Sequence, residues 1–204
     1  DSEQMEEIMQ VVRRANFKKG EAVYHAGDAS DTLFIVNRGQ LKTYYLTEGG
    51  KEQVVRILNP GDFTGELTVF QASIQEAFAE ALMDTQICMI KQEDLQALLL
   101  KYPTIAVEIL KELAGRLTQS EKQATSFVTE TVETRIALFL AESYDETQGN
   151  TIELPMSKKN VASYLGTTPE TLSRRLKELE EAGIIQQEGQ RKIKIIDLDA
   201  LLLL

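Results

Sequence analysis

Cysteine, histidine and tryptophan are nearly absent from this 204-residue sequence, which has one cysteine, one histidine and no tryptophan. One cysteine cannot form a disulfide framework within the chain, and the natural setting of such a protein is the reducing cytoplasm. His25 alone cannot supply a zinc or haem site, or catalysis that depends on imidazole groups. We therefore predict a cytoplasmic protein that is not an enzyme and that holds no metal ion.

Long hydrophobic runs are also missing. No stretch approaches the ~20 apolar residues of a membrane-spanning helix, and no signal peptide is recognisable, so we expect no membrane partner. The chain begins at Asp1 without a methionine and stops within the leucines 201–204, so we expect that both ends are trimmed. With 43% hydrophobic residues it can bury the cores of two modest domains.

A helix-turn-helix pattern begins at Ser157, which is a good N-cap for a first helix. Gly166 can adopt the left-handed conformation that ends this helix, Thr167 or Thr168 can cap a second one, and Pro169 suits its first turn. The second helix should bury Leu172, Leu176 and Leu179 and expose Glu170, Ser173, Arg174 and Lys177. Such a pair can place its second helix in the major groove of DNA; the alternative is an ordinary helical hairpin.

The residues after this motif favour a winged form of it. Gly183 provides a stop for the second helix, and two short segments, 186–189 and 191–196, flank a turn as in a hairpin. Residues 155–196 include eight basic and five acidic residues, whereas the whole chain has a net charge of −10. A basic module in an acidic protein can still bind DNA, because the local field at the docking face matters more than the total charge.

The region before this module has short apolar runs separated by turn signals such as Gly27-Asp28 and Pro60-Gly61. This texture predicts a β-barrel or jelly roll. The predicted strands are residues 23–24, 33–36, 41–46, 54–58 and 87–90. We also predict a short helical turn that opens at Gly65 and an amphipathic helix over residues 5–15.

A long helix is predicted between the two regions. Apolar or small residues recur there at spacings of four and three residues, as in the seam of a two-stranded coiled coil. The seam residues are Ala106, Leu110, Leu113, Leu117, Ser120, Ala124 and Phe127. We therefore predict a homodimer, which is common among proteins that bind DNA through a helix-turn-helix. The alternative is a helix that packs only on its own domain.

Taken in order, these parts resemble the CRP/FNR family of bacterial transcription regulators, and most closely its FNR-like members from low-GC Gram-positive bacteria. The motifs that carry the resemblance lie at residues 17–21, 27–28, 34–36, 39, 60–63, 65–67 and 169–174. The resemblance implies an α+β fold: a cyclic-nucleotide-binding-like β-barrel (jelly roll) over 1–103, a dimerisation helix over 104–128 and a winged helix-turn-helix over 129–204. It implies double-stranded DNA, RNA polymerase and a second copy of the chain as partners.

In FNR-type members the recognition helix carries a glutamate and, after two further residues, a serine and an arginine. Here these are Glu170, Ser173 and Arg174, to which the resemblance assigns contacts with cytosine, thymine and guanine. It implies an inverted repeat of TTGAT-like half-sites, because members that bind TGTGA have an additional arginine where Pro169 stands. Phosphate contacts, which position the protein without specifying sequence, are predicted for Ser157, Lys158, Lys159, Thr168, Arg175 and Arg191.

The predicted sensor pocket consists of Gly65, Glu66, Leu67, Glu76 and Ala77. In family members that bind cyclic AMP, the glutamate of Gly-Glu-Leu holds the ribose, and a later Arg-Ser or Arg-Thr pair holds the phosphate. Here that pair is Glu76-Ala77, which replaces the cation by a repelling carboxylate and removes the hydroxyl. We therefore expect no control by cyclic AMP.

Cys88 lies in a segment that resembles the place where FNR proteins hold an internal cluster cysteine, so it is a candidate redox residue. A four-iron cluster needs about four thiolates, and this chain has one. No cofactor is therefore evident, and an iron–sulfur cluster or a disulfide switch would require further cysteines in a missing N-terminal segment. The alternative is a small buried apolar residue on a strand.

The sequence thus predicts a regulator in which an input at the barrel changes the packing of two long helices and so the spacing of the recognition helices. One alternative is a constitutive DNA binder whose barrel serves only dimerisation. A second is a cupin-like metalloenzyme, which needs several histidines. A third is a protein-interaction module with a degenerate helix-turn-helix.

Overall fold

The computed structural model describes residues 2–71, 73–145 and 149–204. The chain divides into two compact units, 1–117 and 118–204, and their boundary lies inside one long helix. The elements up to the end of that helix are α1 (Ser2–Val11), β1 (Arg13–Phe17), β2 (Ala22–Tyr24), β3 (Ala29–Ser30), β4 (Thr32–Arg38), β5 (Leu41–Leu46), β6 (Glu52–Leu58), β7 (Phe63–Thr64), a 3-10 helix (Glu66–Val69), β8 (Ser73–Ile74), β9 (Phe78–Ala81), β10 (Thr85–Lys91), α2 (Gln92–Lys101) and α3 (Pro103–Thr129).

Two four-stranded antiparallel sheets form the β domain of the first unit. Their strand orders are β1-β10-β4-β7 and β2-β9-β5-β6, and β3 pairs separately with β8. One cluster of buried side chains contains residues of both sheets, because alternate residues of each strand face the same interior. Its members are Tyr24, Phe34, Val36, Leu41, Leu58, Ala79, Ala81 and Ile87. The predicted jelly-roll domain of an α+β protein is confirmed.

The predicted strands all lie within observed strands, and the turn predicted at Gly65 is the 3-10 helix. The helix predicted over residues 5–15 is wrong at its end, since α1 stops at Val11 and β1 begins at Arg13. Strand β1 pairs with β10 along its whole length, and Ala15 and Phe17 alternate inward with exposed polar neighbours. Pairing with a neighbouring strand therefore prevails over the helical pattern there.

A second cluster of buried residues anchors the first part of α3. The cluster consists of Leu33, Phe63, Ile90 and Leu95. Ile109 and Leu113 of α3 pack against it, together with Val11 and Val12 from the end of α1. This half of α3 is therefore a part of the first unit and not a free linker. The bounds predicted for the dimerisation helix, 104–128, lie one residue inside those of α3.

Lys42 is a buried lysine on β5, only 4% exposed. Its Nζ lies 2.5 Å from Glu52 Oε2 and 3.3 Å from Glu80 Oε1, and it stands 4.5 Å from the centroid of the Tyr44 ring. Burial acts to lower the pKa of Lys42, but the hydrogen bond to Glu52 and the charges of both carboxylates outweigh it and raise that pKa. The lysine is therefore charged at neutral pH and is compensated on both sides.

The second unit contains the remainder of α3 followed by α4 (Val132–Asp145), β11 (Thr151–Glu153), α5 (Lys158–Tyr164), α6 (Pro169–Glu181), β12 (Ile185–Gln187), β13 (Lys192–Ile195) and α7 (Leu198–Leu202). The strands form an antiparallel sheet in the order β11-β13-β12, in which β12 and β13 are the predicted wing. Large side chains that are at most 2% exposed form its core, and these are Ile136, Leu140, Ile152, Leu154, Leu172, Leu176, Ile185, Ile193 and Leu201.

The winged helix-turn-helix is thus confirmed. The sequence also predicts a polar loop over residues 145–150, and residues 146–148 of this loop lie outside the described residues. In the described part of the chain, no helix combines the length and the apolar character that crossing a membrane requires.

Candidate nucleic-acid interface and sensor region

Side-chain caps shape both helices of the helix-turn-helix. Ser157 Oγ accepts a hydrogen bond from the backbone N–H three residues later (3.3 Å), and Thr168 Oγ1 does the same for the second helix (3.2 Å). Between them Gly166 adopts a φ of +65°, and the Thr167 N–H donates to the Ala162 carbonyl at 2.9 Å. Ser157 and Thr168, two of the predicted phosphate-contact residues, are therefore the N-caps of α5 and α6, and the turn at Gly166 ends α5.

The two predicted faces of α6 are confirmed. Its three core leucines are at most 4% exposed, whereas Glu170, Ser173, Arg174 and Lys177 are exposed. The Arg174 side chain is 64% exposed, and its Nε lies 3.9 Å from a carboxylate oxygen of Glu178, so it is only loosely paired. The helix therefore presents polar side chains on its outer face, including a guanidinium group that can donate two hydrogen bonds to a guanine.

Lys158 and Lys159, at the start of α5, differ in their surroundings. Lys159 is exposed, whereas Lys158 Nζ donates to Gln187 Oε1 of β12 at 2.6 Å. The same glutamine donates two hydrogen bonds to Glu180 of α6. Glu180 and Gln187 could not be predicted from the sequence, because no local spacing shows that this residue of α6 meets this residue of the wing. A phosphate contact by Lys158 would add to, or compete with, a contact inside the motif.

The two predicted phosphate-contact arginines also have partners within the unit. Arg191 donates from Nε and Nη2 to the Leu154 carbonyl at 3.0 and 2.6 Å. Arg175 donates to Glu178 at 2.6 Å and lies 3.7 Å from Glu133 of α4. Each arginine therefore holds two elements of the unit together, and a phosphate contact by either one stays a prediction.

Helix α3 carries the predicted seam, and none of its side chains is buried. Leu113 packs with Ile109 against the second core cluster, whereas Leu110 and Leu117 are 60% and 62% exposed. The remaining seam residues are Ala106, which is half-buried, and Ser120, Ala124 and Phe127, which are exposed. Two large leucines thus meet water on one side of a 27-residue helix.

The last seam residue, Phe127, lies against the turn of the helix-turn-helix. A Cβ on Gly166 would be 2.9 Å from Phe127 Cε1, so glycine leaves room for the ring. Arg135 of α4 stands over the same ring, with its Cζ 5.2 Å from the centroid, and donates from Nε to the Leu165 carbonyl at 3.1 Å. Gln123 donates to the carbonyl one residue earlier, at 3.2 Å. The C-terminal end of α3 is therefore bound to the C-terminal end of α5.

In the predicted sensor region, Glu66 is paired with two arginines. Gly65 precedes it with a φ of +82°, and a Cβ there would lie 2.6 Å from a backbone carbonyl oxygen. Arg56 Nη1 of β6 is 3.2 Å from Glu66 Oε1, and Arg116 Nη1 of α3 is 3.8 Å from it. The Arg116 guanidinium also lies 4.0 Å from the centroid of the Phe63 ring. The glutamate of the Gly-Glu-Leu motif therefore has its charge balanced by the protein itself.

The other predicted pocket residues follow Glu66 in the chain. Leu67 is 49% exposed, Glu76 is exposed and Ala77 is half-buried just before β9. Neither Glu76 nor Ala77 supplies a cation. Two cations meet Glu66, namely Arg56 and Arg116. They could not be predicted from the sequence, because they come from strand β6 and helix α3 and stand outside the motif.

Cys88 is half-buried on β10, where it stands opposite Arg14 of β1 and Ile35 of β4. Among the residues that the structure describes, no three histidine, cysteine or acidic side chains are grouped closely enough to hold a metal ion. A redox role for Cys88 stays a prediction.

Comparison with known proteins agrees with this architecture. Residues 14–102 match the model of the cyclic nucleotide-binding domain, and residues 134–204 match that of the Crp-like helix-turn-helix domain. The probable transcriptional regulator flp of Lacticaseibacillus casei is 35% identical over 172 residues, which is 84% of this chain and 78% of the relative. The transcriptional activator FnrA of Stutzerimonas stutzeri is 28% identical over 199 residues, or 95% of this chain and 81% of the relative.

The solved structure of FixK2 from Bradyrhizobium japonicum superposes on 94% of this chain and 96% of its own, with a TM-score of 0.81 and 27% identity. A jelly-roll domain, a long helix and a winged helix-turn-helix with an exposed polar recognition face define a DNA-binding transcription regulator. The chain belongs to the CRP/FNR family, whose matched members are regulators and not enzymes.

Proposed function

We propose that this protein is a homodimeric regulator that binds an inverted repeat of TTGAT-like half-sites. The observation that carries the proposal is the exposed face of α6, where Glu170, Ser173 and Arg174 lie within about one turn while the leucines behind them are buried. Arg174 donates to guanine O6 and N7, Glu170 accepts from cytosine N4, and Ser173 contacts a thymine. The predicted basic and hydroxyl side chains at the start of both helices bind phosphates.

The dimer forms along the seam of α3. The exposure of Leu110 and Leu117 supports this, because a second copy of the same helix would remove both side chains from water. Two-fold symmetry places the recognition helices one turn of DNA apart, roughly 34 Å, when the protein is competent to bind.

The barrel receives the signal and does not respond to cyclic AMP. Glu76-Ala77 supplies no cation for a phosphate, and the Glu66 carboxylate is already 3.2 Å from Arg56. An input at the barrel changes the packing of the two α3 helices, and α3 passes this change to the turn at Gly166 through Phe127. Cys88 is the candidate redox residue of this input. The regulator works in the cytoplasm, with RNA polymerase as its partner at promoters.

A fluorescence-anisotropy titration at fixed salt tests the proposal. It compares a TTGAT-N4-ATCAA duplex with a TGTGA-type and a scrambled duplex, each with and without reductant and with and without cyclic AMP. We expect tight binding to the first duplex alone and no effect of cyclic AMP. A dependence on reductant would assign the input to Cys88. Equal affinity for the first duplex under all conditions would favour a constitutive DNA binder whose barrel serves only dimerisation.

Arg174→Ala and Lys177→Ala separate base recognition from charge. Loss of the arginine should weaken binding by about 1–3 kcal/mol per half-site and relax the preference at one guanine. Lys177 is 73% exposed on the same helix, so its loss should weaken binding to all duplexes alike. If Arg174→Ala binds the three duplexes as the unaltered protein does, the helix-turn-helix does not recognise DNA through this face.

A further inference from the structure

One glutamine side chain joins three elements of the DNA-binding unit. Gln187 lies in β12, the first strand of the wing, and its Oε1 accepts a hydrogen bond from Lys158 Nζ of α5 at 2.6 Å. Its Nε2 donates to Glu180 Oε2 of α6 at 2.9 Å, and its backbone N–H donates to Glu180 Oε1 at 2.7 Å. One carboxylate of the recognition helix therefore binds the wing twice, and the wing binds the start of the first helix.

A hydrogen-bonded relay thus runs from Lys158 through Gln187 to Glu180, and the charges at its two ends fix the orientation of the Gln187 amide. A lysine ammonium only donates hydrogen bonds and an ionised carboxylate only accepts them, so the Gln187 amide can face one way only. Hydrogen bonds to charged groups are also the stronger kind. An amide at position 180 would still accept the backbone hydrogen bond. The NH2 group of this amide would then face Gln187 Nε2, so that one donor would meet another. Turning the Gln187 amide round would remove this conflict, but it would bring Gln187 Nε2 against the Lys158 ammonium, which is also a donor.

In the proposed function, the start of α5 supplies Lys158 and Lys159, and the wing supplies Arg191, as phosphate contacts next to the recognition helix. We propose that Glu180 is a positioning residue for DNA binding, which acts through Gln187 to hold the wing and Lys158 in the arrangement that the duplex requires. In this proposal Glu180 makes no contact with DNA, because Gln187 already donates to both of its carboxylate oxygens. This role rests on the proposed function, in which α6 reads the half-site.

The hydrogen bonds of the relay also appear in the acidity of Glu180. The backbone hydrogen bond from Gln187, and next the side-chain hydrogen bond from the same residue, hold the pKa of Glu180 below its usual value. The carboxylate is therefore charged throughout the neutral range. The relay persists as the pH falls to the ordinary glutamate pKa of about 4.3 and is lost as the pH falls through the lowered value.

Glu180→Gln in the full chain, compared with Glu181→Gln, tests the proposal. Both changes remove one negative charge from neighbouring positions of α6, but Glu181 pairs with Lys177 at 3.5 Å and not with the wing. Each variant is titrated with the TTGAT-type duplex and the scrambled duplex at fixed salt. Hydrogen exchange of the β12 and β13 amides is followed in the absence of DNA.

We expect Glu181→Gln to bind at least as tightly as the unaltered protein, since it removes a charge that repels DNA. We expect Glu180→Gln to bind the TTGAT-type duplex roughly fivefold more weakly than Glu181→Gln and to exchange the Gln187 amide faster. Equal affinity and equal exchange in the two variants would overturn the proposal.

A double variant, Lys158→Gln with Glu180→Gln, distinguishes the relay from a general loss of structure. Three amides in a row can order their hydrogen bonds in either direction, so the wing should regain much of the protection that Glu180→Gln alone loses. Protection that is no better than in the single variant would contradict the relay. The exchange measurement does not involve DNA, so it tests the relay even if Arg174→Ala shows that the proposed half-site recognition is wrong.

Discussion

Replacing Leu117 by glutamate should dissociate the proposed homodimer. The Leu117 side chain is 62% exposed in the single chain. Full burial of a leucine is favourable by about 1.5–3 kcal/mol, so covering the exposed part of Leu117 contributes roughly 1–2 kcal/mol per protomer. A symmetric dimer contains two copies, so their loss weakens association by about 2–4 kcal/mol, or roughly 30-fold to 1000-fold in Kd. Two carboxylates facing each other in the seam add to this loss.

Sedimentation velocity over a range of protein concentrations measures this change in Kd. Leu100→Glu is the matched control, because Leu100 is 85% exposed on α2 and lies outside the seam. This control should dimerise like the unaltered protein. Leu113 is a poorer choice, since it packs against the second core cluster and its replacement would mix unfolding with dissociation. A dimer of unchanged Kd in Leu117→Glu would show that the seam is not the interface.

Two further predictions concern stability and are checked by urea unfolding. Gly166→Ala should lower the free energy of unfolding by about 1–3 kcal/mol, because φ is positive there and the new Cβ would meet the Phe127 ring. The control is Gly115→Ala, since Gly115 lies in α3 with open space around it, and this change should raise the free energy of unfolding by about 0.5–1 kcal/mol. A shift of the same sign in the two glycine variants would contradict this prediction. Lys42→Met should be less stable by about 1–3 kcal/mol, because it leaves two carboxylates without their cation. The pKa of Lys42 is raised in the folded protein, so the stability difference between the two proteins should be full below the ordinary lysine pKa of about 10.4. It should shrink as the pH rises through the higher pKa of the folded protein. A stability difference that does not change with pH would argue against the ion pairs.

Elements whose signal is local could be predicted from the sequence. The caps Ser157 and Thr168 and the buried leucines of α6 follow from spacing within one or two turns, and the structure has them in place. Strand β9 could not be predicted in this way. Its inward residues, Ala79 and Ala81, are completely buried, but they are too small to form the apolar run that marks a strand.

The contacts that could not be predicted from the sequence all join two different elements of the structure. Arg56 of β6 and Arg116 of α3 both reach Glu66 of the 3-10 helix, and neither arginine stands in a recognisable motif. Glu180 and Gln187 likewise look like ordinary surface residues in the sequence. Charge patterns predict where a polar face lies, whereas the choice of partner depends on tertiary packing.

The continuity of α3 across the two units has a consequence for insertions and deletions. Each residue added to an α-helix turns everything beyond it by about 100° and moves it by about 1.5 Å. One residue inserted after Leu117 would therefore take Ala124 and Phe127 off the side on which Leu110 lies, whereas seven inserted residues would restore the alignment. We expect the length of this helix to change among relatives in whole heptads, unlike the length of a loop, so that an alignment gap within it would mark a change in the register of the dimer.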